Sequence, residues 1–114
     1  MAIFELEPMK HHVLICNGGT CMRHEGEEVT QAIRDEIRKQ NADTYIHTTR
    51  TRCNGRCHDA AVVIVYPQGD WYGQMTPAAG TQLVQKLVEG EKLKTHLFHE
   101  CTGKSRSESS SNVK

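Results

Sequence analysis

Four of the five cysteines in this chain stand in two short pairs, Cys16-x4-Cys21 and Cys53-x3-Cys57, and each pair follows directly on a β-prone run. A chain of 114 residues makes one small domain. Small domains bury a lower fraction of their surface than large ones, and a bound metal centre is one common remedy. An odd number of cysteines fits poorly with a complete disulfide framework. Met1 to Met9 mixes acidic and apolar side chains without a hydrophobic run, so no export signal is read there. Nor does any stretch approach the roughly 18 apolar residues of a membrane-spanning helix. The expected location is therefore the cytoplasm, where clustered cysteines serve as metal ligands or redox groups more often than as disulfides. The formal net charge is zero, which argues against general attraction to nucleic acid or anionic membrane.

The runs around the cysteines divide into two halves. His12 to Ile15 reads as a short buried strand that delivers Cys16, followed by an Asn17-Gly18-Gly19-Thr20 loop. From about Glu27 to Gln40 the apolar residues Val29, Ala32, Ile33 and Ile37 recur at helical spacing. Glu25, Glu27 and Glu28 lie near the start of this helix and Arg38 and Lys39 near its end, as the helix dipole favours. Thr44 to Thr49 then reads as a second strand. In the second half, Ala61 to Tyr66 and Trp71 to Met75 form a hairpin around Pro67-Gln68-Gly69-Asp70. Thr76-Pro77 opens a second helix with the stripe Leu83, Val84, Leu87 and Val88, and Gly90 is its stop.

The order is β-α-β and then β-β-α. It predicts a thioredoxin-like α/β fold, a mixed sheet of about four strands packed by two helices. The expected domain spans residues 10–100, with 1–9 an N-terminal extension and 101–114 a tail too polar to offset its own ordering entropy.

Parallel strands in a β-α-β unit end at the same edge of the sheet, so both cysteine loops are brought together there. Four thiolates at one place suit a [2Fe–2S] cluster, which divides them two per iron. Gly18, Gly19 and Gly55 would let backbone amides approach the cluster sulfurs. No acidic residue occurs from Lys10 to His24 or from Thr44 to His58, and the second stretch carries His47, Arg50, Arg52, Arg56 and His58. These cations fit either an anionic cluster or an acidic partner. Tetrahedral zinc would also accept four thiolates, although zinc ribbons use tighter C-x2-C pairs. A thiol–disulfide oxidoreductase would need a C-x-x-C motif opening the helix, which is absent.

The run from Cys53 through the C-x-G-x-C loop, the apolar strand ending in Tyr66-Pro67, Gly69, Trp71-Tyr72 and Thr76-Pro77 resembles the thioredoxin-like [2Fe–2S] ferredoxins. His12-Val-Leu-Ile-Cys16 matches the same family, and the resemblance covers roughly residues 10–98. The Cys-x4-Cys spacing is similar to that of the cluster-bearing subunit of respiratory NADH dehydrogenases. A finer likeness is to small ferredoxins associated with bacterial cobalamin biosynthesis. The resemblance implies a [2Fe–2S] cluster, one per chain, on Cys16, Cys21, Cys53 and Cys57. It also implies one-electron transfer to a protein redox partner without catalysis of its own, and a homodimer. Where many relatives carry proline before the third strand, this chain has Ala60-Ala61.

Other residues receive plainer expectations. Cys101 reads as an incidental thiol at a frayed end rather than a ligand or sensor. His58 and His24 read as loop residues, Trp71 and Tyr72 as hairpin packing, and Tyr66 as core or interface. Cluster sensing or delivery remains the alternative function, beside a structural zinc module.

Overall fold

The computed structural model describes residues 5–101 and opens its sheet where the sequence first turns apolar, with β1 (His11–Cys16). A short helix α1 (Gly19–Arg23) and a long helix α2 (Gly26–Lys39) follow, then β2 (Ile46–Thr51) and a single 3₁₀ turn at Cys57–Asp59. The second half runs β3 (Val63–Tyr66), β4 (Asp70–Tyr72), α3 (Pro77–Val88) and β5 (Leu97–Glu100). The sheet order is β2-β1-β3-β4-β5. β1 and β2 are parallel, and every other pairing is antiparallel. The thioredoxin-like arrangement is therefore the expected one, with one strand more than the sequence suggested.

β5 escapes sequence reading because its four residues are mostly exposed and show no alternation of apolar and polar side chains. Pairing with β4, not its own composition, makes it a strand. Similarly, α1 occupies part of what reads as a glycine loop and extends it through Cys21. Residues 5–9 contribute no strand or helix. The expected polar tail lies, apart from Cys101, outside the described residues.

Strand alternation divides the apolar residues between two faces. Val13 and Ile15 of β1 and Val63 and Val65 of β3 join Val29, Ile33 and Ile37 of α2 and Leu83, Val84 and Leu87 of α3 in the main core. Full burial of each such side chain is worth about 1.5–3 kcal/mol. The alternate positions, Leu14, Cys16 and Ile64, form a smaller cluster on the other face with Cys21, Ala60, Val62 and Trp71. Neither long helix contributes to that cluster.

Local rules hold the helices in place. The Thr76 hydroxyl accepts a hydrogen bond from the Ala79 amide at 3.1 Å, and Pro77 occupies the first helical turn. After α3, Gly90 takes φ +77° and donates its amide to the Leu87 carbonyl at 3.1 Å. Gly80 lets α3 approach α2 closely, since a Cβ there would lie 2.9 Å from Ile33 Cγ1. The Ala60–Ala61 and Tyr66–Pro67 peptide bonds are cis.

Candidate metal centre

The register of β1 on β2 pairs Cys16 with Thr51, so the first ligand candidate and the loop carrying the second pair leave the sheet side by side. The Asn17 amide donates to the Thr51 carbonyl at 2.8 Å and prolongs this ladder by one step. Cys21 rises from the next turn on α1, which the Met22 amide closes by donating to Gly18 at 2.9 Å. Beyond β2, Cys53 and Cys57 bracket a tight loop in which Gly55 takes φ +79°.

All four thiols line one small cavity, together with Gly18, Asn54, Arg56 and Val62. They face it as two unlike pairs. Cys16 and Cys21 are each only 3 % exposed, whereas Cys53 and Cys57 are open to solvent with their sulfurs 3.6 Å apart. Among the described residues, no three His, Cys, Asp or Glu side chains converge as they would around a single ion. A paired disposition is what a two-iron cluster divides between its metals.

The surroundings supply donors to sulfur. The Gly55 amide donates to Cys53 Sγ at 3.3 Å. Burial opposes ionisation of Cys16, yet donation from the Gly18 amide, the Cys21 thiol and the side chain and amide of Asn54 outweighs it. The net effect holds Cys16 below its ordinary pKa. Burial, followed by the hydrogen bond with Cys16, pushes Cys21 up to about 11. Two buried thiols in contact behave this way: the first proton leaves readily while the second is retained.

Two glycines let the loops close on one another. A Cβ on Gly18 would lie 2.9 Å from both the backbone nitrogen and the Cα of Cys53. A Cβ on Gly26 would lie 2.9 Å from the carbonyl oxygens of both Cys16 and Cys21. Gly26 was not anticipated from the sequence, where it reads only as the residue before a helix. Gly19, by contrast, faces open space, with Arg23 the nearest group at 3.9 Å. The Gly18 and Gly55 amides donate to cysteine sulfur, Gly18 to Cys16 and Gly55 to Cys53.

The basic residues are less free than their spacing suggests. Arg50 forms a two-point ion pair with Glu27 of α2, at 2.9 and 2.8 Å, and Arg56 pairs with Asp59 at 2.7 Å. Of the three arginines, only Arg52 has no carboxylate partner among the described residues. His24 and His58 lie with Arg23 around a separate surface hollow and do not line the thiol cavity. Cys101 sits against Gly69, whose carbonyl accepts its amide hydrogen bond at 3.0 Å. That is the far end of the sheet from Cys16, because β3 runs antiparallel to β1. Trp71 packs in the cluster containing Cys16 and Cys21. Tyr72 is in the main core, and Tyr66 is 41 % exposed.

A thioredoxin-like sheet with four thiols gathered at its edge defines a class of small iron–sulfur proteins. The family model for thioredoxin-like [2Fe-2S] ferredoxin matches residues 2–88, and the chain belongs to that family. A putative 2Fe-2S ferredoxin of Priestia megaterium is 54% identical over 98 residues, covering 85% of this chain and 76% of that protein. A 2Fe-2S ferredoxin of Clostridium pasteurianum is 30% identical over 94 residues, covering 75% of this chain and 92% of its own. The crystal structure of the wild-type thioredoxin-like [2Fe-2S] ferredoxin from Aquifex aeolicus superposes with a TM-score of 0.73 at 29% identity, covering 80% of this chain and 98% of that one. Membership implies one [2Fe–2S] cluster per chain and supports an electron-carrier role. No helix among the described residues is long and apolar enough to cross a membrane.

Proposed function

We propose that Cys16, Cys21, Cys53 and Cys57 ligate the [2Fe–2S] cluster and that the protein passes single electrons to a protein redox partner. The observation that carries this reading is the single cavity lined by all four thiols, with one pair buried and one pair at the surface. When bound, the cluster supplies a one-electron couple whose potential depends on hydrogen bonds, charge and exposure. The chain provides the rest. Cys16 and Cys21 anchor the inner side within an apolar cluster that excludes water. Cys53 and Cys57 present the outer side to solvent, where a partner can approach. The Gly18 and Gly55 amides donate to sulfur and offset negative charge there. Asn54 donates to the Thr51 hydroxyl at 2.7 Å and to the Arg52 carbonyl at 3.2 Å, which holds the outer loop in shape.

The wider assignment is a cytoplasmic homodimeric carrier serving cobalamin biosynthesis: the family resemblance supports the dimer, and the chain's finer likeness to small ferredoxins of that setting supports the pathway. Exposure of the outer pair also favours a second reading, delivery of the cluster to an apo acceptor. Iron and acid-labile sulfide analysis with EPR on protein purified without oxygen tests the assignment. About two irons and two sulfides per chain, with a reversible S = 1/2 signal on reduction, are expected. Zinc without sulfide would replace the carrier by a structural module. Rapid cluster release to an acceptor without reversible reduction would favour delivery.

A further inference from the structure

β5 carries an irregularity where it meets β4. Asp70 pairs with Glu100, Trp71 with His99 and Tyr72 with Leu97, so Phe98 is an extra residue opposite the Trp71–Tyr72 step. Bulges of this kind re-aim a side chain and recur beside functional sites. Here Phe98 is 39 % exposed, and its ring meets Trp71 edge-on with centroids 6.5 Å apart. Gly73 leaves room for it, since a Cβ there would lie 3.1 Å from both Phe98 Cδ2 and the Asp59 Cβ. The Arg56 guanidinium stands over the same ring, 5.3 Å from its centroid. Arg56 also lines the thiol cavity, so one side chain borders both the metal centre and this aromatic surface. Arg56, Trp71, Phe98 and His99 enclose an open groove of about 370 Å³.

We propose that this groove is the docking site for the redox partner, and that it accepts an apolar side chain of a partner surface rimmed by carboxylates. The proposal rests on the electron-carrier reading and extends it to the partner's chemistry. Charge complementarity selects the occupant. Arg56 and His99 line the groove, and Arg52 in the adjoining cysteine loop has no carboxylate partner among the described residues. Asp59 answers only Arg56. A partner seated over Phe98 would stand beside Arg56 and hence beside the exposed Cys53–Cys57 loop. A cation over an aromatic face, with open apolar area around it, is a composition typical of interface anchors.

The test uses the full-length, cluster-loaded protein and oxidised plastocyanin, an acidic blue-copper protein, as the probe. Stopped-flow rates for reoxidation of the reduced protein at low salt are divided by those with neutral p-benzoquinone, which needs no docking site. Phe98→Glu is expected to lower this ratio about tenfold and flatten its salt dependence. Lys39→Glu, a charge change twice as large but at the far end of α2, is expected to leave the ratio within about twofold of wild type. An unchanged ratio in Phe98→Glu, or an equal fall in Lys39→Glu, would overturn the proposal. So would sedimentation showing a wild-type dimer that Phe98→Glu dissociates, since the groove would then be covered by a second copy of this chain. A prior one-electron titration separates the two claims: if the wild type cannot be reduced reversibly, the carrier reading fails and the docking site falls with it.

Discussion

At the scale of single residues, two adjacent glycines have opposite burdens. Gly18 has ordinary φ and ψ of −64° and 169°, so alanine there meets no backbone strain, only the Cys53 backbone 2.9 Å away. Gly18→Ala is expected to cost about 1–3 kcal/mol by overpacking and to lower iron content. Gly19→Ala, one position later in open space, is expected to keep both, as melting curves and iron assays would show. His12 offers a pH signature remote from the cysteines. Burial first, and His47 second, hold its imidazole below the ordinary 6.5. A base with a depressed folded pKa contributes full stability above its ordinary value. That stability declines as pH falls from there to the folded pKa. His12→Gln keeps a polar group for the Thr49 hydroxyl, 2.8 Å from Nε2 in the native chain. The variant is expected to lose less urea stability than wild type between pH 7.5 and 5.5.

At the scale of elements, boundaries follow local chemistry wherever that chemistry is strong. Thr76-Pro77 marks the start of α3 in the sequence, and the structure shows the cap it implies. Thr76→Ala is expected to lose about 1 kcal/mol in urea titrations and Thr76→Ser to retain most of it. α2 likewise has Glu27 and Glu28 in its first turn and Arg38 and Lys39 in its last. Its N-terminus is less conventional: Glu25 takes φ +70° at the cap position, and Gly26 follows because Cys16 and Cys21 carbonyls occupy the space a Cβ would need. That demand comes from across the fold, so a sequence window around Gly26 carries no sign of it. The Glu27–Arg50 ion pair ties this helix end to β2. The pair is exposed, so solvent screens it and its net contribution to stability is small. Its larger consequence is to neutralise an arginine whose acid-free stretch of sequence fits either an anionic cluster or an acidic partner.

At the scale of the whole molecule, the thiol cavity spans both halves of the β-α-β unit and joins them to the start of β3 through Val62. Metal-binding energy becomes folding energy when a site is not formed in the unfolded chain. Cys53→Ala and Cys57→Ala are therefore each expected to reduce iron content and to lower the melting temperature, by at least about 5 °C for a domain of this size. Full iron occupancy and unchanged melting in both variants would remove these residues from the ligand set. Both side chains are exposed, so truncating either one leaves no buried void of its own. A loss of stability would thus report the missing cluster rather than a cavity.

Periodicity, the Thr-Pro helix start and the two cysteine spacings were sufficient to place the β-α-β and β-β-α halves and to nominate the four thiols that share the cavity. These are short-range signals, carried by side chains a few residues apart. β5, the bulge at Phe98, the closeness of Gly18 and Gly26 to the ligand loops and the pairing of Arg50 and Arg56 with carboxylates had no such carrier. Each depends on what another segment places opposite it. An edge strand is made by its neighbour's free hydrogen-bonding groups, a glycine is required by the backbone packed against it, and a charge is free or paired according to distance. Local sequence specifies which elements form and which residues have the chemistry; only the folded chain decides what stands beside them.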